Sequence, residues 1–147
     1  MLSVRVPVLR VGPGVFGAKG ARAGQGRRMV ARAVAGTTPG GARDLLAEGH
    51  AYLDVRTPEE YGAGHVPGAK NCPFVFFVGP TKQPNASFLP DVAAMFPDKD
   101  TPIVVGCKSG ARSTASIGAL EQAGYTNLIN LDGGFDAWVA AGLKTTK

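Results

Sequence analysis

The stretch Ile103-Val104-Val105-Gly106-Cys107-Lys108-Ser109-Gly110-Ala111-Arg112-Ser113 constrains the fold more than any other part of this 147-residue chain. An apolar run without polar alternation reads as a strand buried on both faces, as in a parallel sheet. The run ends at a cysteine and a helical pattern begins at Ser113, so the connection is a tight loop. Gly110 lets the backbone turn inward without a Cβ clash. Such a loop aims successive N–H groups at one point, just ahead of a helix N-terminus. An anion held there is stabilised, and so is a thiolate on Cys107. Cys107 is therefore a candidate nucleophile in an anion pocket. The plainer alternative, a small buried hydrophobe at a strand end, is outweighed by the basic, glycine-containing loop that follows.

The flanking sequence supplies the rest of an alternating pattern. Residues 38 to 49 read as a short helix stopped at Gly49. Ala51 to Val55 reads as a strand, apolar except for Asp54. Thr57-Pro58-Glu59-Glu60 is a capping box with proline at the first helical position, so a short helix should follow. Gly62, Gly64, Pro67 and Gly68 make a loop, and Ala69 to Cys72 a second short strand. Phe74 to Pro90 carries Gly79, Pro80, Pro84, Asn85 and Pro90 and reads as a long surface excursion. A helix over 90–96, a strand over 102–106, a helix from Ser113 to Ala123, a strand from Leu128 to Leu131 and a helix from Phe135 to Ala141 complete the pattern. Strands alternating with helices predict an α/β fold, a central parallel sheet with helices on both faces. Ligands in such folds sit beyond the carboxyl ends of the strands, where Cys107 lies. The length suits one domain with a sizeable core.

Charge divides the chain. Residues 1 to 36 hold seven basic side chains (Arg5, Arg10, Lys19, Arg22, Arg27, Arg28 and Arg32) and no acidic one, Asp44 being the first. The remainder holds nine basic against eleven acidic residues, a balance of −2, although the whole chain is +5. The basic pI thus belongs to a tail and does not argue for nucleic acid. A tail rich in Ala, Gly, Val and Arg has the composition of an organellar transit peptide, and Val30 to Ala35 suits a small-residue cleavage site. Residues 1–36 are expected to be that peptide, disordered, and 37–147 the domain. No 18-residue apolar run exists to span a membrane.

Within the loop, Lys108 and Arg112 bring positive charge suited to an anionic substrate, and Ser109 and Ser113 bring hydroxyl donors. Arg112 could take two oxygens of an oxyanion at once, which a lysine cannot. Asp54 and Arg56 flank a strand end at the same edge. Two cysteines 35 positions apart make neither a disulfide framework nor a zinc site. Cys72 reads as a small buried hydrophobe, with a resolving thiol as the sharper alternative. His50 reads as a solvated helix end, His65 as a structural partner of its own loop, and Trp138 as core. No metal-ligand cluster or dinucleotide fingerprint is present, so no metal and no cofactor is expected.

Three blocks together resemble a known family. They are Tyr52-Leu53-Asp54-Val55-Arg56-Thr57-Pro58-Glu59-Glu60-Tyr61 continuing through Gly64-His65-Val66-Pro67-Gly68-Ala69-Lys70-Asn71, then Ile103 to Ser113, then Asn130-Leu131-Asp132-Gly133-Gly134-Phe135-Asp136-Ala137-Trp138. In this order and spacing they resemble the rhodanese-like sulfurtransferases, most closely the single-domain plant and algal type, over about residues 40 to 143. The resemblance implies a rhodanese-like three-layer fold. It implies thiosulfate sulfurtransferase activity with Cys107 as nucleophile and persulfide carrier. Lys108, Ser109, Gly110, Ala111 and Arg112 would bind the substrate, supported by Asp54, Arg56 and Ser113. The implied partners are a small anionic sulfur donor and a thiol acceptor, such as glutathione or a thioredoxin-like protein, or cyanide. Neither nucleic acid nor a membrane is implied, and a monomer is expected. The closest family types favour the chloroplast, with the mitochondrion as the alternative. Related folds with a cysteine–arginine loop include phosphatases and arsenate reductases. The phosphatase loop is one residue longer than the four residues between Cys107 and Arg112, so arsenate reduction survives as the catalytic alternative. A noncatalytic docking module is the third reading.

Overall fold

A computed structural model describes residues 34–147. Apart from residues 34–36, the expected targeting segment lies outside the described residues. The elements in chain order are β1 (Gly36–Thr37), α1 (Pro39–Ala47), β2 (Ala51–Asp54), α2 (Pro58–Ala63), β3 (Lys70–Asn71), β4 (Val75–Val78), β5 (Thr81–Pro84), α3 (Phe88–Met95), β6 (Ile103–Gly106), α4 (Ala111–Gln122), β7 (Leu128–Leu131) and α5 (Gly134–Ala140). Five strands form one all-parallel sheet in the order β1-β7-β6-β2-β3. The central strand β6 is buried throughout, as its unbroken apolar run predicts.

Side-chain alternation along the strands divides the core in two. Leu53, Ile103, Val105 and Cys107 face one side, where they join Phe88, Val92, Ile117 and Leu120 from α3 and α4. Tyr52, Val104 and Leu131 face the other, against Ala42 of α1 and Trp138 of α5. Helices thus cover both faces of the sheet. Cys107 belongs to the face on which α4 packs, and it leaves β6 at the carboxyl end of the sheet.

Three local features differ from the sequence reading. The first strand crosses the expected boundary after residue 36: Gly36 pairs with Asn130, and Thr37 with Leu131. Val34 packs against the core, and the Ala35 carbonyl accepts from Asn130 N at 2.9 Å. Residues 34–36 therefore belong to the folded domain. Second, the excursion after Phe74 is an antiparallel hairpin, β4 on β5, separate from the main sheet. Gly79 turns it with φ +60. Third, two helices begin early. Helix α3 starts at Phe88 because Pro90 sits in its first turn, where no intrahelical N–H bond is lost. Helix α4 starts at Ala111, capped by Gly110 in the left-handed region at φ +119.

Candidate active site

The site is built on the loop between β6 and α4. Cys107 is 1% exposed, its sulfur close to the start of α4. Gly110 N–H donates to Sγ at 2.9 Å, and the Ser113 hydroxyl lies at 3.5 Å. Burial pushes the thiol pKa up. The Ser113 hydroxyl and the backbone N–H groups of Ser113, Gly110 and Ser109 outweigh it, holding Cys107 below the ordinary thiol value. Such a group is more ionised at neutral pH than a free cysteine and more useful as a nucleophile. The Ser113 hydroxyl also lies 3.0 Å from the Gly110 carbonyl and 2.5 Å from Asn130 Oδ1, while Asn130 Nδ2 donates to Asp132 Oδ1 at 3.0 Å. Strand β7 thereby supports the floor of the loop.

Helix α5 fixes the loop from the opposite side. Its N–H groups at Phe135 and Asp136 donate to the carbonyls of Cys107 and Lys108 at 2.7 and 3.0 Å. With those carbonyls held towards α5, the following N–H groups are free to face Sγ. Gly134 makes the approach possible. It has φ +63, and a Cβ there would come within 2.5 Å of both carbonyl oxygens. The Gly133-Gly134 pair therefore does more than turn the chain.

Asp54 and Arg56 form a buried ion pair at the end of β2, with Nη2 on Oδ2 at 2.7 Å and Nε 3.0 Å from Oδ1. Arg56 Nη2 also donates to the Gly64 carbonyl at 2.8 Å, and its guanidinium lies over the Phe135 ring, 4.3 Å from the centroid. This pair joins β2, the loop after α2 and the start of α5, the same helix that latches the Cys107 loop. His65 sits in the joined loop. Its Nδ1 donates to the Tyr61 carbonyl at 2.9 Å, and its ring stacks on Tyr61. These contacts tie the loop to α2.

The two loop cations stand differently from the sequence expectation. Lys108 Nζ is 2.9 Å from Asp136 Oδ2, in a pair largely open to solvent. Arg112 makes a two-point bond to Glu60, Nη1 to Oε1 at 2.7 Å and Nη2 to Oε2 at 3.0 Å. The Arg112 guanidinium carbon lies over the ring of Phe77, from the hairpin, 5.3 Å from its centroid. The fork that could clasp an oxyanion is occupied by a carboxylate. Glu60 was legible only as the end of its capping box. Asn130 and Asp136 stand in the third sequence block without a role assigned to them, and Phe77 had no signal; they meet Ser113, Lys108 and Arg112 across many residues of sequence.

Cys72 is buried, with Sγ 3.8 Å from the Phe88 carbonyl and a pKa pushed up to about 11 by burial and by Asp91. It sits as the small buried hydrophobe that its apolar context suggests. Trp138 is buried and donates from Nε1 to the Lys144 carbonyl. A cleft of about 200 Å³ lined by Leu46, Val66, Pro67, Trp138 and Leu143 with Arg43 and Lys144 shares no residue with the Cys107 loop. Among the described residues, no three His, Cys, Asp or Glu side chains gather as a metal site requires, and no helix is long and apolar enough to cross a membrane.

Comparison with known proteins gives consistent matches. The rhodanese-like domain family matches residues 38–141. Thiosulfate sulfurtransferase 16, chloroplastic, of Arabidopsis thaliana is 44% identical over 71% of this chain and 86% of its own length. Protein HIGH ARSENIC CONTENT 1, mitochondrial, of the same plant is 39% identical over 72% of this chain and 62% of its own length. Among solved structures, the rhodanese-like domain of an Anabaena protein superposes with a TM-score of 0.61 at 25% identity, over 76% of this chain and 77% of that one.

Proposed function

The chain belongs to the rhodanese-like family, and on that premise we propose that it is a thiosulfate sulfurtransferase working through a persulfide on Cys107. The observation that carries the reading is the thiol itself, buried, held below its ordinary pKa and ringed by N–H donors. The Cys107 thiolate attacks the outer sulfur of thiosulfate. The S–S bond of the donor breaks, sulfite leaves with the electron pair, and Cys107 retains the sulfur as a persulfide anion. Cyanide or a thiol, such as glutathione or a thioredoxin-like protein, then attacks the outer sulfur and restores the thiolate. The N–H groups of Ser109, Gly110 and Ser113, which already serve Sγ, are the natural donors to the added charge. Ala111 and Lys108 complete the loop's backbone. Asp54 and Arg56 support it through α5, and Ser113 supports it directly.

Thiosulfate should add one sulfur atom to the intact mass, and cyanide should remove it as thiocyanate. Cys107→Ser should lose both reactions and Cys72→Ser should keep them. Sulfur loading that survives in Cys107→Ser would end this reading. Arsenate reduction by the wild type without sulfur loading would favour the alternative enzyme.

We further propose that the acid-free N-terminal segment directs the protein to the chloroplast, as the names of relatives such as Thiosulfate sulfurtransferase 16, chloroplastic, suggest. A fluorescent fusion of residues 1–40 should enter plastids. Mitochondrial labelling would redirect the address, and a diffuse cytosolic signal would refute it.

A further inference from the structure

An anionic donor approaching Cys107 meets a loop whose cations are both paired. The Lys108–Asp136 pair is exposed on both sides, and water screens it. The Arg112–Glu60 pair is different, with side chains only 13% and 26% exposed. Both Nη atoms of Arg112 face the carboxylate, and the guanidinium carbon lies over the Phe77 ring. Glu60 is itself anchored, because Oε1 also accepts from the Thr57 N–H and hydroxyl, each at 3.0 Å.

We propose that Glu60 is a specificity-determining residue of this site: its carboxylate fills the Arg112 fork and restrains the attraction of the pocket for dianions. The inference rests on the sulfurtransferase reading of Cys107. The capping role of Glu60 does not account for a carboxylate here. The cap uses Oε1 on the Thr57 N–H, and a glutamine oxygen would serve it equally. The second bond, Oε2 to Nη2, lies outside the cap and serves Arg112 alone. Partial burial pushes the Glu60 pKa up, but Arg112 and Thr57 pull it down to about 2, so the charge is present throughout the working pH range.

Removing that charge while keeping the cap isolates the effect. Glu60→Gln leaves Arg112 uncompensated and raises the local charge by one unit. The Coulomb gain is twice as large for a dianion as for a monoanion. In low salt, kcat/KM for thiosulfate should rise at least about threefold, through KM rather than kcat. For benzenethiosulfonate, a monoanion bearing the same transferable sulfur, the gain should be about the square root of that factor. Both gains should shrink as salt is added. A change that only disturbed the fold would not favour one donor by charge or respond to salt in this way. An unchanged or lowered thiosulfate-to-benzenethiosulfonate ratio in a variant with native circular dichroism would overturn the proposal.

If the wild type transfers sulfur from neither donor, the sulfurtransferase reading fails. Calorimetric titration with sulfate then still tests Glu60, since Glu60→Gln should bind sulfate more tightly and equal affinity would refute it. Should Glu60→Gln not fold, the wild type provides the test. The Glu60 carboxyl carbon resonance should move as sulfate saturates the site and loosens the pair, and a resonance that stays fixed at saturation would refute the proposal.

Discussion

At the residue scale, the chemistry depends on how the environment of one sulfur is balanced. Burial works against the Cys107 thiolate, and hydrogen bonds work for it. A neutral hydrogen bond contributes about 1 kcal/mol, and one to a charged group more. Ser113→Ala removes the hydroxyl donor and leaves the backbone donors in place, so the Cys107 pKa should rise. Thiolate reactivity increases as pH climbs through the thiol pKa, and the variant's alkylation profile should therefore shift to higher pH. At neutral pH its rate with iodoacetamide should fall roughly fivefold. A profile that coincides with the wild type would show that the backbone N–H groups alone suffice. Cys107, Ser113, Asp54 and Arg56 were legible because each sits in or beside a compact motif. Glu60 was read only as a cap, since its partner lies 52 residues away. Periodicity and spacing describe what neighbours along the chain do, and this contact is made by the fold.

At the scale of elements, the loop is held by a helix that follows it only after α4 and β7. The first N–H groups of a helix lack partners within it. Here two of those from α5 go to the carbonyls of Cys107 and Lys108. Gly134→Ala tests the latch. The new Cβ would meet both carbonyl oxygens, and φ +63 adds backbone strain of about 1–3 kcal/mol. The variant should melt at a lower temperature and lose most of its sulfur loading, measured by scanning fluorimetry and intact mass. Native loading would mean that the loop keeps its shape unaided. Apart from β1, which the sequence reading did not contain, the main sheet and its helices were readable from alternating apolar runs and their stops. The β4–β5 hairpin was not, because Pro80, Pro84 and Pro90 resemble the punctuation of a loop. Its signal was the run Val75-Phe76-Phe77-Val78 before Gly79-Pro80. Phe76, Phe77 and Val78 are exposed, so no buried face marks the strand.

At the scale of the molecule, the order of the strands gives the first few described residues a purpose beyond adding two more to the sheet. Both outer strands, β1 and β3, are two residues long. Behind β1 stands β7, four residues reading Leu-Ile-Asn-Leu and largely buried. A short outer strand is a poor template for pairing with another chain, whereas a longer apolar one invites it. Strand β1 and the Ala35 carbonyl thus act as a stopper, occupying the donors of Asn130 and Asp132 that would otherwise recruit a neighbour. Where the folded chain starts therefore decides more than length. A protein beginning at Val34 should stay monodisperse by sedimentation velocity, whereas one beginning at Thr38 should melt earlier and form larger species with time and concentration. If the shorter protein remains equally dispersed, β1 contributes stability alone. Otherwise the loss of these few residues leaves β7 as an open edge, and the fold becomes a seed for its own precipitation.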